Sequence, residues 1–295
     1  MAAEADSNNI IRFTYTGEEN IPREATHIFV DAAFVPDQAF NRHPNIVELI
    51  CHDKVKKIKM GAFRCCPSLR RVIMPGVKEV EGWGAFEDCR ALEDVECGKL
   101  EIIGVLAFGN CKSLRSISLP SARIVRGEVF CHCTALTDVK FGSKLERIDD
   151  MVFYNCTSLE RIAIPLTDGI FDEEDIFQDC DNFRQVDLAE GQLVHATIAA
   201  LHLEEWRNDM NEEIDSINRI LPNARAGHFL DGNDPGEKAV AIRTWIVSVL
   251  NKFYGYAEEH ERLLDDAATS LQLVLPQDLV MNNVRPFLQL PEEEE

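Results

Sequence analysis

One spacing constrains this chain more than any other. Phe63, Phe86, Phe108, Phe130, Phe153 and Phe177 lie 22 to 24 residues apart, and each is followed three residues later by a cysteine: Cys66, Cys89, Cys111, Cys133, Cys156 and Cys180. Three further on stand Leu69, Leu92, Leu114, Leu136, Leu159 and then Phe183, and after them apolar pairs running from Val72/Met74 to Val186/Leu188. An earlier copy, AFNRHPNIVELIC, keeps Phe40, Ile46, Leu49 and Cys51 but has His43 where the cysteine belongs. A repeat of this period specifies a solenoid. No single coil can bury its apolar side alone, so identical coils stack into a continuous core.

The L-x-x-V-x-L portion alternates with period two, as a short strand with one face inside does. Most of these strands end at a turn residue: Pro75, Gly98, Pro120, Gly142 or Pro165. The A-F-x-x-C portion is too short for a full helix and predicts a single turn. Stacked strands repeat about every 4.8 Å, so the phenylalanines form one internal ladder and the cysteines a second. A buried free cysteine acts there as a compact hydrophobe. Zinc sites need close ligand pairs, and the close pairs here are Cys65-Cys66 and Cys131-His132-Cys133, in which the second cysteine belongs to the ladder. Cys65 and Cys131 are left as the thiols expected at the surface. No metal or cofactor is expected.

Units such as IIGVLAFGNCKSLRSISLP resemble the BspA-type leucine-rich repeats over about residues 24–190. The flanks, ENIPREATHIFVD and LEEWRNDMNEEIDSINRILPNA, resemble members of the large intracellular set of these proteins in algae, diatoms especially. The resemblance implies a curved α/β repeat domain used for protein recognition, with no catalytic residues. BspA-like proteins of microbial surfaces are adhesins, which gives the adhesin role as a distant alternative here.

The ends read differently. Residues 1–31 predict a two-stranded β cap, residues 32–190 the solenoid, residues 191–290 a helical extension and residues 291–295 an acidic tail. In the extension Leu203, Trp206, Met210, Ile214, Ile217 and Leu221 make one apolar stripe at helical spacing, ended by Pro222. Ile242, Trp245, Ile246, Val249, Phe253, Tyr256, His260, Leu263, Ala267 and Leu271 make a second. Two such helices joined by a loop predict an antiparallel hairpin, which either caps the last coil or offers a seam to a partner helix or a second copy, leaving monomer and helix-mediated dimer both open.

Composition bounds the partner. A net charge of −21 argues against nucleic acid, because phosphate binding needs clustered Lys and Arg. No stretch approaches the roughly 20 apolar residues of a membrane span, and MAAEADSNNIIRF has neither the basic nor the apolar region of a signal peptide. We therefore expect a cytoplasmic protein, with the nucleus possible and secretion not expected, where ten cysteines stay reduced. There is no G-x-S-x-G, H-E-x-x-H, phosphate loop or G-x-G-x-x-G, so no enzyme activity is expected.

Function is expected on the strand residues that point away from the core. One column reads Glu48, Arg71, Asp94, Ser116, Asp138, Arg161, Gln185, and the next Ile50, Ile73, Glu96, Ser118, Lys140, Ala163, Asp187. Together they make a strip about 30 Å long, the kind of extended concave surface on which solenoids bind a protein or peptide. The alternative is an adaptor whose C-terminal helices recruit a second protein, since LPQDLVMNNVRPFL loosely matches the opening of F-box-like motifs that engage ubiquitin-ligase scaffolds.

Overall fold

The computed structural model describes residues 4–5, 10–17, 20–171, 175–189, 204–228, 236–252, 262 and 266. Its main strand row contains β1 (Glu4–Ala5), β2 (Ile11–Tyr15), β3 (His27–Val30), β5 (Glu48–Cys51), β7 (Arg71–Ile73) and β9 (Asp94–Glu96), and continues through β11 (Ser116–Leu119), β13 (Asp138–Phe141), β15 (Arg161–Ile164) and β16 (Gln185–Leu188). The row is divided between β9 and β11 into a six-stranded and a four-stranded sheet, and within each all neighbours pair in parallel except β1, which runs antiparallel to β2. The two strands expected in the N-terminal cap are β2 and β3. Their parallel pairing makes the cap one more coil of the stack.

Six coils carry a second, two-residue strand: β4 (Phe34–Val35), β6 (Lys57–Ile58), β8 (Glu79–Val80), β10 (Ile102–Ile103), β12 (Ile124–Val125) and β14 (Arg147–Ile148), also parallel. Its inward residues, Val35, Ile58, Val80, Ile103, Val125 and Ile148, are fully buried. The remaining side is the A-F-x-x-C turn. There the amide of each phenylalanine donates to the next coil, as Phe63 does to Ala85 at 2.8 Å and Phe130 to Val152 at 2.9 Å.

The two ladders form as the spacing predicts. Rings from Phe40 to Phe177 stack coil on coil with centroids 4.7 to 5.8 Å apart, and Phe183 folds back to extend the stack at 4.5 Å. The cysteines do more than fill space. Each ladder thiol from Cys66 to Cys180 donates to the carbonyl of the phenylalanine one coil back, at 2.9–3.3 Å. Except at Phe63, that carbonyl also accepts an amide inside its own turn, as Phe86 does from Cys89. Serines or asparagines two residues after the cysteine position act likewise, with Ser68 donating to Pro44 O and Ser113 to Arg90 O, both at 2.7 Å.

The residue just before each cysteine position sits in the left-handed region: Arg42, Cys65, Asp88, Asn110, His132, Asn155 and Asp179 have φ of 55–60°. Asn, Asp and His tolerate that region best among residues with a side chain, which explains their concentration at this position. Cys65 is partly exposed there, as expected. Cys131 is not: it is buried, and burial pushes its thiol up to about 12. It precedes His132 and is covered by the turn at Gly109 in the coil before it, so the expectation of a surface thiol is corrected at this position.

Beyond β16 lie helix Glu204–Ile220, a 3-10 turn Leu221–Asn223 containing Pro222, and a second helical run over residues 238–252. Ile217, Leu221, Ala239, Ile242, Trp245, Ile246 and Val249 share one apolar core with the last coil. Phe253, Tyr256, His260, Leu263, Ala267, Leu271 and the whole of LPQDLVMNNVRPFL lie outside the described residues.

Phe108→Ala should cost about 3–5 kcal/mol, as for a fully buried aromatic, whereas exposed Ser116→Ala should stay within about 0.5 kcal/mol; urea midpoints separate the two. Alkali supplies a second test. Burial pushes the thiols of Cys51, Cys97 and Cys180 up to about 12, and those of Cys89, Cys111 and Cys156 well above the ordinary range. The unfolded chain gives up these protons above about pH 8.5, while the folded chain keeps them. Stability is then full below that pH and falls as pH rises. Midpoints under reducing conditions should hold up to about pH 8.5 and decline steadily toward pH 11; a flat profile would show that the ladder is not buried.

Candidate binding face

The outward residues of the strand row fall into two columns. The strand registers place His27, Glu48, Arg71 and Asp94 in one line, with Phe29, Ile50, Ile73 and Glu96 beside them. In the second half Ser116, Asp138, Arg161 and Gln185 continue the first column, and Ser118, Lys140, Ala163 and Asp187 the second. All fourteen residues picked from the sequence thus share one face. The cap lengthens it with Arg12 and His27 in one column and Thr14 and Phe29 in the other. The signal was present in the alternation of IIRFTY and HIFV, but a cap placed as a separate unit left these residues out.

Its charges are mostly internal pairs across strands. The Arg71 guanidinium meets Glu96 at 2.5 Å, Asp94 at 3.2 Å and Glu48 at 3.9 Å, and its hydrogen bond to Glu96 raises its pKa further. Arg161 Nε donates to Asp138 Oδ2 at 2.5 Å and lies 3.6 Å from Asp187, whose other oxygen accepts from Gln185 at 2.9 Å. These are exposed pairs of the sort that adds little stability. Their effect is to order the centre of the face. The two arginines of the face, Arg71 and Arg161, are already engaged by acids one repeat away.

Three other features differ. Lys140 is exposed and, among the described residues, pairs with no carboxylate. A hollow of about 420 Å³ opens beside it, lined by Ser118, Lys140, Arg161, Ala163 and Asp187 and bounded by the turn at Pro120 and Gly142. At the opposite end Phe29, 38% exposed, lies in register with the half-buried Ile50 and Ile73. Among the described residues no cluster of His, Cys, Asp and Glu is arranged to hold a metal, and no helix is long and apolar enough to cross a membrane.

The helical extension presents a closed face to the stack. Asn218 Oδ1 accepts the amide of Val186 at 2.8 Å and its Nδ2 donates to the Val186 carbonyl at 3.1 Å, so one side chain occupies the edge of β16. Trp245 Nε1 donates to the Glu213 carbonyl at 3.0 Å and ties the two helices together.

The sequence matches the family described as BspA type Leucine rich repeat region, in six copies over residues 33–125 and 101–199. No curated protein matches it. Among solved structures it is similar to a leucine rich cell surface protein from Faecalibacterium prausnitzii A2-165, at 22% identity over 64% of this chain and 53% of that one, with a TM-score of 0.45. It is also similar to a leucine-rich repeat protein from Bacteroides ovatus ATCC 8483, at 22% identity over 50% of this chain and 42% of that one, with a TM-score of 0.35. A third is the T. pallidum Leucine Rich Repeat protein, at 20% identity over 64% of this chain and 79% of that one, with a TM-score of 0.38. The chain spans about half the length of the first two.

Proposed function

The chain belongs to the BspA-type leucine-rich repeat family, and we propose that it is a non-enzymatic interaction module that binds a protein or peptide on its concave strand face. Leucine-rich repeat proteins are generally protein-interaction modules, and the family is typically non-enzymatic. One observation carries the assignment of the face. The inward columns repeat Phe, Cys, Leu and Val coil after coil, whereas the two outward strand columns change from apolar to acidic to hydroxyl to cationic over their length. A stack needs sameness in its core and nothing in particular on this face, so varied chemistry there is free to serve recognition.

We also assign the chain to a reducing compartment, the cytoplasm or nucleus. All ten cysteines are free, and a ladder thiol drawn into a disulfide would abandon the buried carbonyl it serves.

The test is affinity capture from native extract, comparing the wild-type chain with an Ile73→Asp/Lys140→Glu variant whose thermal melt matches it. Arg71 and Arg161 are left in place, because reversing either would gather unpaired acids. Partners lost from the variant alone support the strand face. An unchanged partner set overturns it and moves recognition to the helical extension.

A further inference from the structure

The face is asymmetric along its length, and that asymmetry describes a ligand. At the N-terminal end the side chains of Phe29, Ile50 and Ile73 form an apolar row over three successive strands. In a chain of net charge −21, contiguous apolar side chains turned toward solvent make an anchoring site. Next comes the Arg71 group. Three carboxylates, Glu48, Asp94 and Glu96, share one guanidinium, which leaves the centre of the face negative. Ser116 and Ser118 follow, both exposed and short, so a ligand backbone can come close to the sheet. At the far end Arg161 is held between Asp138 and Asp187, and the Lys140 ammonium, among the described residues, pairs with no carboxylate. The adjoining hollow is floored by Ala163, the smallest residue of its column.

We propose that this face takes an extended segment of another protein laid along the solenoid axis, with an aliphatic or aromatic side chain on Phe29–Ile50–Ile73 and a carboxylate side chain at Lys140. The proposal rests on the strand-face reading above and specifies what that face recognises. The separation follows from the registers. Ile73 and Lys140 stand in one column on β7 and β13, three strand steps apart, or about 14 Å. An extended chain advances about 3.3 Å per residue, so the apolar residue and the acid are about four positions apart. A basic residue between them sits over Asp94 and Glu96, and small residues cross the two serines. The ion pair at Lys140 sets register and orientation, while the apolar row supplies most of the affinity.

A phage-displayed library of random dodecapeptides selected on the full-length chain tests this directly. The expected outcome is enrichment of sequences with an apolar residue and an Asp or Glu about four positions apart, in a single direction. Repeating the selection on Lys140→Glu should exchange the acid for Lys or Arg at the same spacing and keep the apolar position. For one enriched peptide, Lys140→Glu should weaken binding about tenfold, and replacing the peptide's acid by lysine should restore it. Lys140 points out of the sheet, so this variant keeps the core intact, and an unchanged thermal melt checks that.

No enrichment, enrichment without the spacing, or a Lys140→Glu selection identical to the wild type would each overturn the ligand assignment. These failures are distinguishable from failure of the strand-face reading. If Ile73→Asp/Lys140→Glu removes captured partners while the selections show no such spacing, the face stands and the ligand assignment falls. If capture is unchanged, the face itself falls.

Discussion

Every coil of this stack leaves backbone groups aimed at its neighbours, and the fold depends on meeting each of them. Within the stack the next coil does so. The carbonyls of Phe40, Phe86, Phe108, Phe130 and Phe153 show how closely the demand is met, because each accepts one amide from its own turn and one thiol from the following coil. An unpaired buried carbonyl costs on the order of 1–3 kcal/mol, and the repeat multiplies that cost by the number of coils. A cysteine is small enough to sit in the ladder and still carries a donor, which alanine lacks. The thiol is therefore a structural hydrogen-bond donor, and the repeated cysteine needs no catalytic or metal-binding explanation.

The ends of the stack meet the same demand with different residues. In the first coil no phenylalanine lies behind the cysteine position, and His43 stands there instead. Its Nε2 reaches the Pro22 carbonyl of the cap at 3.0 Å, and burial lowers its pKa, so a neutral ring with its proton on Nε2 fits the bond. At the other end three groups imitate one further coil. Asn218 pairs with both backbone groups of Val186, the Gly227 carbonyl accepts the Asp179 amide at 3.0 Å, and the buried Lys238 ammonium donates to the carbonyl of Phe183 and to that of Leu221. Lys238 also lies 5.7 Å from the centre of the Phe183 ring, closing the aromatic stack with a cation. With both ends occupied in this way, the strand face is the surface where sequence can vary without cost to the stack.

The parts of this architecture that recur were legible in the sequence. A 22-to-24-residue period of Phe, Cys and Leu fixes coil number, the inward columns and the two outward strand columns, because one register error would turn every buried residue outward. Features set by partners a full repeat away were not legible. Arg71 reads as a free anchor until Asp94 and Glu96 are placed one strand over. Cys131 reads as a surface thiol because its neighbour Cys133 already fills the ladder, yet the Gly109 turn one coil back covers it. The even-numbered strands from β4 to β14 are two residues long, too short for alternation to register, though their buried Val and Ile recur five or six residues before the phenylalanines from Phe40 to Phe153. Asn218 and Lys238 are ordinary helix residues by sequence; only docking against the last coil gives them their roles.

The central claim is that the helical extension closes the stack by standing in for a missing strand. Hydrogen exchange followed by mass spectrometry on Asn218→Ala tests it most directly. The account predicts that the Val186 amide, read in peptides covering Gln185–Leu188, exchanges much faster than in the wild type, while Ser116–Leu119 and Asp138–Phe141 keep their protection. Unchanged protection across Gln185–Leu188 would contradict it, since the edge would then be held by something other than the asparagine that occupies it.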